Sequence, residues 1–141
     1  MIIVRWLGAA GLELVAGHQA VLVDSYQIRP GKARIIAGRL SPDAAAVTRY
    51  LDCLDAEVTA IVAGHTHFAH ALDIYALAAR ADRCAVIGSR SLDNLFRMQN
   101  LPDRVTVCRP HRKIRVADNI RITMIPSAHG DLPADSPAGH F

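Results

Sequence analysis

The sequence predicts an α/β fold: a layered domain on a mixed β-sheet. Three observations carry this. Short apolar segments rich in β-branched residues open the chain, helical and strand-like segments then alternate, and strands return near the end. The 141 residues suffice for one core and not for two comfortable ones. With 51% hydrophobic and 21% charged residues, the composition is that of a globular chain.

Residues 2–8 (IIVRWLG) read as the first strand, and residues 11–17 and 19–24 follow closely, with Gly17-His18 as the turn. Alternation of Leu12, Leu14 and Ala16 with Glu13 and Val15 suits a strand with one buried face, so the opening is an antiparallel meander. Residues 25–40, with Pro30, Gly31, Gly38 and several basic side chains, read as a loop. Ser41-Pro42-Asp43 then starts a helix: Ser caps, Pro suits the first helical position, and an acid suits the positive end of the dipole. Val47, Tyr50, Leu51 and Leu54 fall on one face of it. Residues 59–63 form a buried strand, 71–81 a helix and 84–88 another strand, and Ser91 caps a helix running through Gln99. Residues 104–109, 113–116 and 120–126 read as strands. From Gly130 the chain is rich in Pro and Gly and reads as a loose tail, so the domain is residues 1–129 and the tail 130–141.

Chemistry concentrates at Gly64-His65-Thr66-His67-Phe68-Ala69-His70. If the chain is still extended there, His65 and His67 point to one side, and a turn brings His70 back towards them. Imidazole ligates zinc, iron or manganese, and a strand end presents it rigidly. The plainer reading is a surface loop in a chain with seven histidines. Placement after a buried strand and before a helix favours ligation.

This run resembles the H-x-H-x-D-H signature of the metallo-β-lactamase-fold hydrolases. Trp6-Leu7-Gly8 with Gly11-Leu12 resembles the opening strands of the branch that opens phosphorylated ascorbate lactones, and AGHTHFAHALD resembles its histidine loop and following helix. Val23-Asp24 is similar to its strand-ending aspartate, and Ile125-Pro126-Ser127-Ala128-His129 to its next histidine-bearing strand. The match spans nearly the whole chain in order. The resemblance implies that His65, His67 and His129 hold one metal, that His70 belongs to a second, and that Asp24 and Asp73 are outer carboxylates orienting imidazoles. It implies zinc, manganese or iron as the metal, with one ion per chain expected because this chain departs from the family at the second metal's site, and a small anionic ester, lactone or phosphodiester-like substrate.

The chain also departs from that family. Position 69 is Ala where the family has a metal-binding aspartate, and position 9 is Ala where the branch often has His. The family fold is two similar halves packed face to face, and this chain matches the N-terminal half of that αββα sandwich. The resemblance thus implies a hydrolase impaired at position 69, and a homodimer that covers the open sheet face. An alternative stays open: a non-catalytic metal-binding or homo-oligomeric assembly half-domain.

Other features point to no second site. Net charge is +3, which mildly favours anionic substrates. Residues 109–115 (RPHRKIR) read as a solvated hairpin turn, without the basic-aromatic interleaving that stacks bases, so nucleic acid is not the expected partner; a nucleic-acid-binding relative stays open as a lesser alternative and needs this run to lie beside the histidines. Cys53, Cys84 and Cys108 read as buried structural thiols, and His140 and Asp131 as tail residues. No stretch approaches the roughly 20 apolar residues of a membrane span, and the expected location is cytoplasmic.

Overall fold

The computed structural model describes residues 1–27, 30–38 and 40–126. A six-stranded sheet organises them, built from β1 (Ile2–Gly8), β2 (Gly11–Ala16), β3 (Gln19–Val23), β4 (Glu57–Val62), β5 (Ala85–Gly88) and β6 (Val105–Val107), in that spatial order. The first three strands pair antiparallel, and β3 to β6 pair in parallel. The sheet is therefore mixed. A separate antiparallel pair, β7 (Lys113–Arg115) and β8 (Arg121–Thr123), follows.

Parallel neighbours need long crossovers, and helices supply them. Between β3 and β4 lie α1 (Lys32–Ile36) and α2 (Ala44–Asp52); between β4 and β5 lie α3 (Phe68–Ala71) and α4 (Ile74–Arg80); α5 (Arg90–Met98) joins β5 to β6. Helices α2 to α5 cover one face. Val47, Ile74, Leu77, Leu92 and Phe96 pack there on Leu22, Ile61 and Val86 of the sheet. The hairpin covers part of the other face, where Ile114 and Ile122 approach Val21, Val62 and Ile87.

Several local expectations change. Residues 32–36 are helical rather than loop: Lys-Ala-Arg-Ile-Ile holds no breaker, and Gly38, at φ +65°, ends the turn. Asp43 caps α2 instead of Ser41, since its carboxylate accepts the N–H groups of both Ala45 and Ala46 at 3.0 Å. Ser89 caps α5 instead of Ser91, accepting the Leu92 N–H. The helix expected over 71–81 is two short helices, α3 beginning earlier at Phe68. At the break, the carboxylate of Asp73 accepts a bond from Gln27 N–H. Cys84 is buried, and that burial pushes its thiol pKa up. Cys108 is half-buried, and Cys53, just past the end of α2, is exposed.

The face assignment of β2 also inverts. Gly11, Glu13 and Val15 are its buried positions, and Leu12, Leu14 and Ala16 are half-buried on the hairpin side. Glu13 tolerates 2% exposure because Arg5, its cross-strand partner, donates to one carboxylate oxygen and Tyr50 Oη donates to the other at 2.8 Å. Burial and the neighbouring carboxylate push the Tyr50 phenol well above its ordinary pKa.

Candidate metal centre

The parallel strands share a direction, so their carboxyl ends form one edge of the sheet. Asp24 follows β3, Gly64-His65 follows β4, Ser89 follows β5 and Cys108-Arg109 follow β6. Crevices at such edges are where open α/β sheets bind ligands.

Asp24 organises this edge. Its backbone takes the left-handed region, φ 45°, and its N–H donates to Val62 O at 2.9 Å. Its Oδ1 accepts the Gly64 N–H at 2.7 Å, tying the end of β3 to the start of the histidine loop. A β-carbon at position 64 would lie 3.0 Å from Asp24 Oδ2, so glycine there permits the approach. The other carboxylate oxygen, Oδ2, lies 3.1 Å from His70 Nδ1, at ion-pair distance though outside hydrogen-bond alignment.

The three imidazoles of the loop form one cluster. His65 Nε2 and His67 Nδ1 are 3.1 Å apart, with ring centroids 4.7 Å apart and nearly perpendicular planes. The His70 ring lies 3.7 Å from that of His65. His67 has an extended backbone, and its carbonyl accepts the N–H groups of His70 and Ala71. That turn brings His70 back under His65. Phe68 packs edge-on to buried Tyr26 at 6.3 Å, holding the loop from the β3 side.

Whether this set fits a divalent ion can be tested on the nitrogens. Two imidazole nitrogens at the usual zinc bond length of about 2.0–2.1 Å in a tetrahedral sphere stand about 3.3 Å apart. The 3.1 Å between His65 and His67 fits two such corners. No group of three or more His, Cys, Asp or Glu side chains among the described residues is arranged to hold an ion. His129 lies outside the described residues. Asp73 is fully buried, and its Oδ2 accepts the Gln27 N–H at 2.7 Å, a bond to the backbone just after β3. Ala69 lies within α3, and Ala9 has φ 49° in the β1–β2 turn, its carbonyl accepting the Trp6 indole N–H.

Sequence reasoning gave Gly64 no role of its own and passed over Tyr26. The signal for Gly64 was available, as a glycine between a buried strand and a histidine run. Tyr26 sat in a segment read wholly as loop, without a periodic pattern to mark it. A cavity of about 350 Å³ adjoins the loop, lined by Leu40, Pro42, Phe68, Leu72 and Tyr75 but by none of the three histidines.

No family model matches the chain, and no curated protein matches it. Solved structures do. Igni18, described as a novel metallo hydrolase from the hyperthermophilic archaeon Ignicoccus hospitalis, is similar with a TM-score of 0.66 at 13% identity, over 96% of this chain and 52% of that one. A metallo-β-lactamase from Staphylococcus aureus is similar with a TM-score of 0.55 at 14% identity, over 88% of this chain and 34% of that one. The chain spans about half the length of the first and about a third of the second. This protein thus shares, over the part it spans, the mixed α/β fold of these two solved structures, with its histidine cluster at the carboxyl edge of the sheet.

Proposed function

We propose that the protein is a metal-dependent hydrolase acting on a small anionic ester, lactone or phosphodiester-like substrate. The observation that carries this reading is the His65–His67 nitrogen pair, 3.1 Å apart on a loop tethered by Asp24. His65, His67 and His129 are the residues that would hold a single divalent ion, zinc or else manganese or iron. Such an ion supplies Lewis acidity and lowers the pKa of water to roughly 7. The chain's own residues do the positioning: Asp24 fixes the Gly64 backbone and lies against His70, and the His67 carbonyl closes the turn. Ala69 offers no proton acceptor, so the expected rate is low.

Elemental analysis of protein purified without a histidine tag tests the site. About one zinc, manganese or iron per chain is expected, with loss in the His65→Ala/His67→Ala variant. Zinc or manganese that never lifts ester and phosphodiester hydrolysis above background would reject catalysis. Ala69→Asp is expected to raise the rate.

A second reading, assembly through the sheet, rests on a different observation. Ile2, Val4 and Trp6 line one face of edge strand β1 and are 72%, 61% and 74% exposed. A homodimer covering this face would remove that apolar surface from water. Light scattering on a sizing column is expected to return twice the 15.3 kDa chain mass. A monomer at micromolar concentration would reject it. A cytoplasmic setting suits the three free thiols.

A further inference from the structure

The basic residues of this protein are not spread evenly. Residues 109–126 hold five of the 16 lysines and arginines and one of the 13 acids, so this segment accounts for more than the whole net charge of +3. The strand register gathers them. Lys113 and Arg115 flank the inward-facing Ile114, and Arg115 lies directly opposite Arg121 on β8. Arg121 lies six residues beyond Arg115, outside the 109–115 run, and the strand pairing sets it against that run. Lys113, Arg115 and Arg121 are all exposed on the outer face of the hairpin, and Arg109 and Arg112 are exposed just before β7. Arg109, Arg112, Lys113 and Arg121 make no ion pair among the described residues, and Arg115 reaches the exposed Asp118 at 2.7 Å.

Two arginines held opposite one another repel, and an anion between them relieves the repulsion. Ile114 and Ile122 anchor the ribbon to the sheet, so the cations stand on a packed platform instead of a free loop. Alternate residues of one strand are about 7 Å apart, which gives a regular row of charges. No Phe, Tyr or Trp interleaves with them between residues 109 and 126, so a platform for stacking successive bases is missing.

We infer that the outer face of the β7–β8 hairpin, through Arg112, Lys113, Arg115 and Arg121, binds the phosphate backbone of a duplex nucleic acid without reading its sequence. The inference is independent of the metal site. Binding of this kind is driven by counterion release, and four neutralised phosphates give a slope of log K against log salt of about −3.6.

The test is fluorescence anisotropy of the full chain with a labelled 25-base-pair duplex of mixed sequence, titrated between low and physiological salt. The expected result is a slope between about −3 and −4. Lys113→Gln/Arg115→Gln/Arg121→Gln is expected to weaken binding at least tenfold and to bring the slope near −1. Arg49→Gln/Arg80→Gln/Arg83→Gln removes the same charge from exposed positions on α2 and around the end of α4, and is expected to leave both nearly unchanged. Equal losses in the two variants would show a net-charge effect and overturn the inference. So would a parent protein without salt-dependent binding, or one that binds phosphatidylserine vesicles and ignores the duplex. Circular dichroism on both variants separates lost binding from lost folding, and Lys113→Arg, which keeps the charge, is expected to bind like the parent.

Discussion

The two faces of the central sheet solve the same burial problem with different completeness. On the helical face, Leu22, Ile61 and Val86 meet α2, α4 and α5, and Phe96, Leu92, Ile74 and Leu77 are fully excluded from water. The opposite face is covered over its middle strands by one hairpin, whose Ile114 and Ile122 are only half-buried, and among the described residues Ile2, Val4 and Trp6 of β1 stay largely exposed there. Helical crossovers close a face as a by-product of connecting parallel strands. A face without crossovers closes only where something else is laid on it. The lesson is that stability in this chain concentrates on one side of the sheet, and unsatisfied apolar surface on the other.

Truncations should therefore be asymmetric. Phe96→Ala empties the middle of the helical core and is expected to cost about 3–5 kcal/mol. Ile114→Ala, on the hairpin, is expected to cost well under half of that. Urea unfolding followed by circular dichroism measures both, and similar midpoint shifts would break the comparison. Overpacking gives a smaller effect of the same kind. A β-carbon at position 88 would stand 2.6 Å from Leu92 Cδ2, beneath α5, so Gly88→Ala is expected to cost about 1–3 kcal/mol.

The Glu13–Tyr50 bond sharpens the comparison at the margin of the helical core. Tyr50→Phe deletes one bond to a buried carboxylate and is expected to cost about 1.5–3 kcal/mol at neutral pH. A pH dependence goes with it. The folded state holds the phenolic proton more tightly than the unfolded chain, whose value is 10.0. That contribution is complete below pH 10 and declines as pH rises beyond it, because the unfolded state then releases a proton that the folded state retains. The parent protein is expected to lose stability between pH 10 and 12 by more than Tyr50→Phe does. Parallel pH profiles in thermal melts would refute the assignment.

The smallest expected effect lies on β1. Trp6→Thr is expected to change chain stability by about 0.5 kcal/mol or less, since the ring is exposed. It should, however, shift any dimer towards monomer on a sizing column. A large loss of stability in a variant that stays monomeric throughout would mean that β1 supports the chain's own core.

Much of the fold was legible because periodicity reports burial. The β1–β3 meander, the buried strands around 59–63 and 84–88 and the faces of α2 and α5 all carry patterns set by what each side chain must avoid. Helix starts were less legible: Ser41 and Ser91 are as good as caps on composition as Asp43 and Ser89, and tertiary packing chose between them. Within the candidate site, the histidine run and Asp24 stand out by residue type and order. The direction of Asp73 towards Gln27 N–H does not, because a contact across 46 positions leaves no local trace.

Residue order alone set the alternation of strand and helix, the placing of His65 and His67 between a buried strand and a helix that carries His70, and the concentration of charge in residues 109–126. Those are properties of neighbours along the chain. Only the tertiary structure decided that Glu13 faces inward, that Arg121 stands opposite Arg115, and that Asp24 bridges Gly64 and His70. The physical reason is the same in each case. Strand register and the tilt of one element on another are set by summed packing over the whole sheet, and a shift of one residue would send every side chain of a strand to the opposite face.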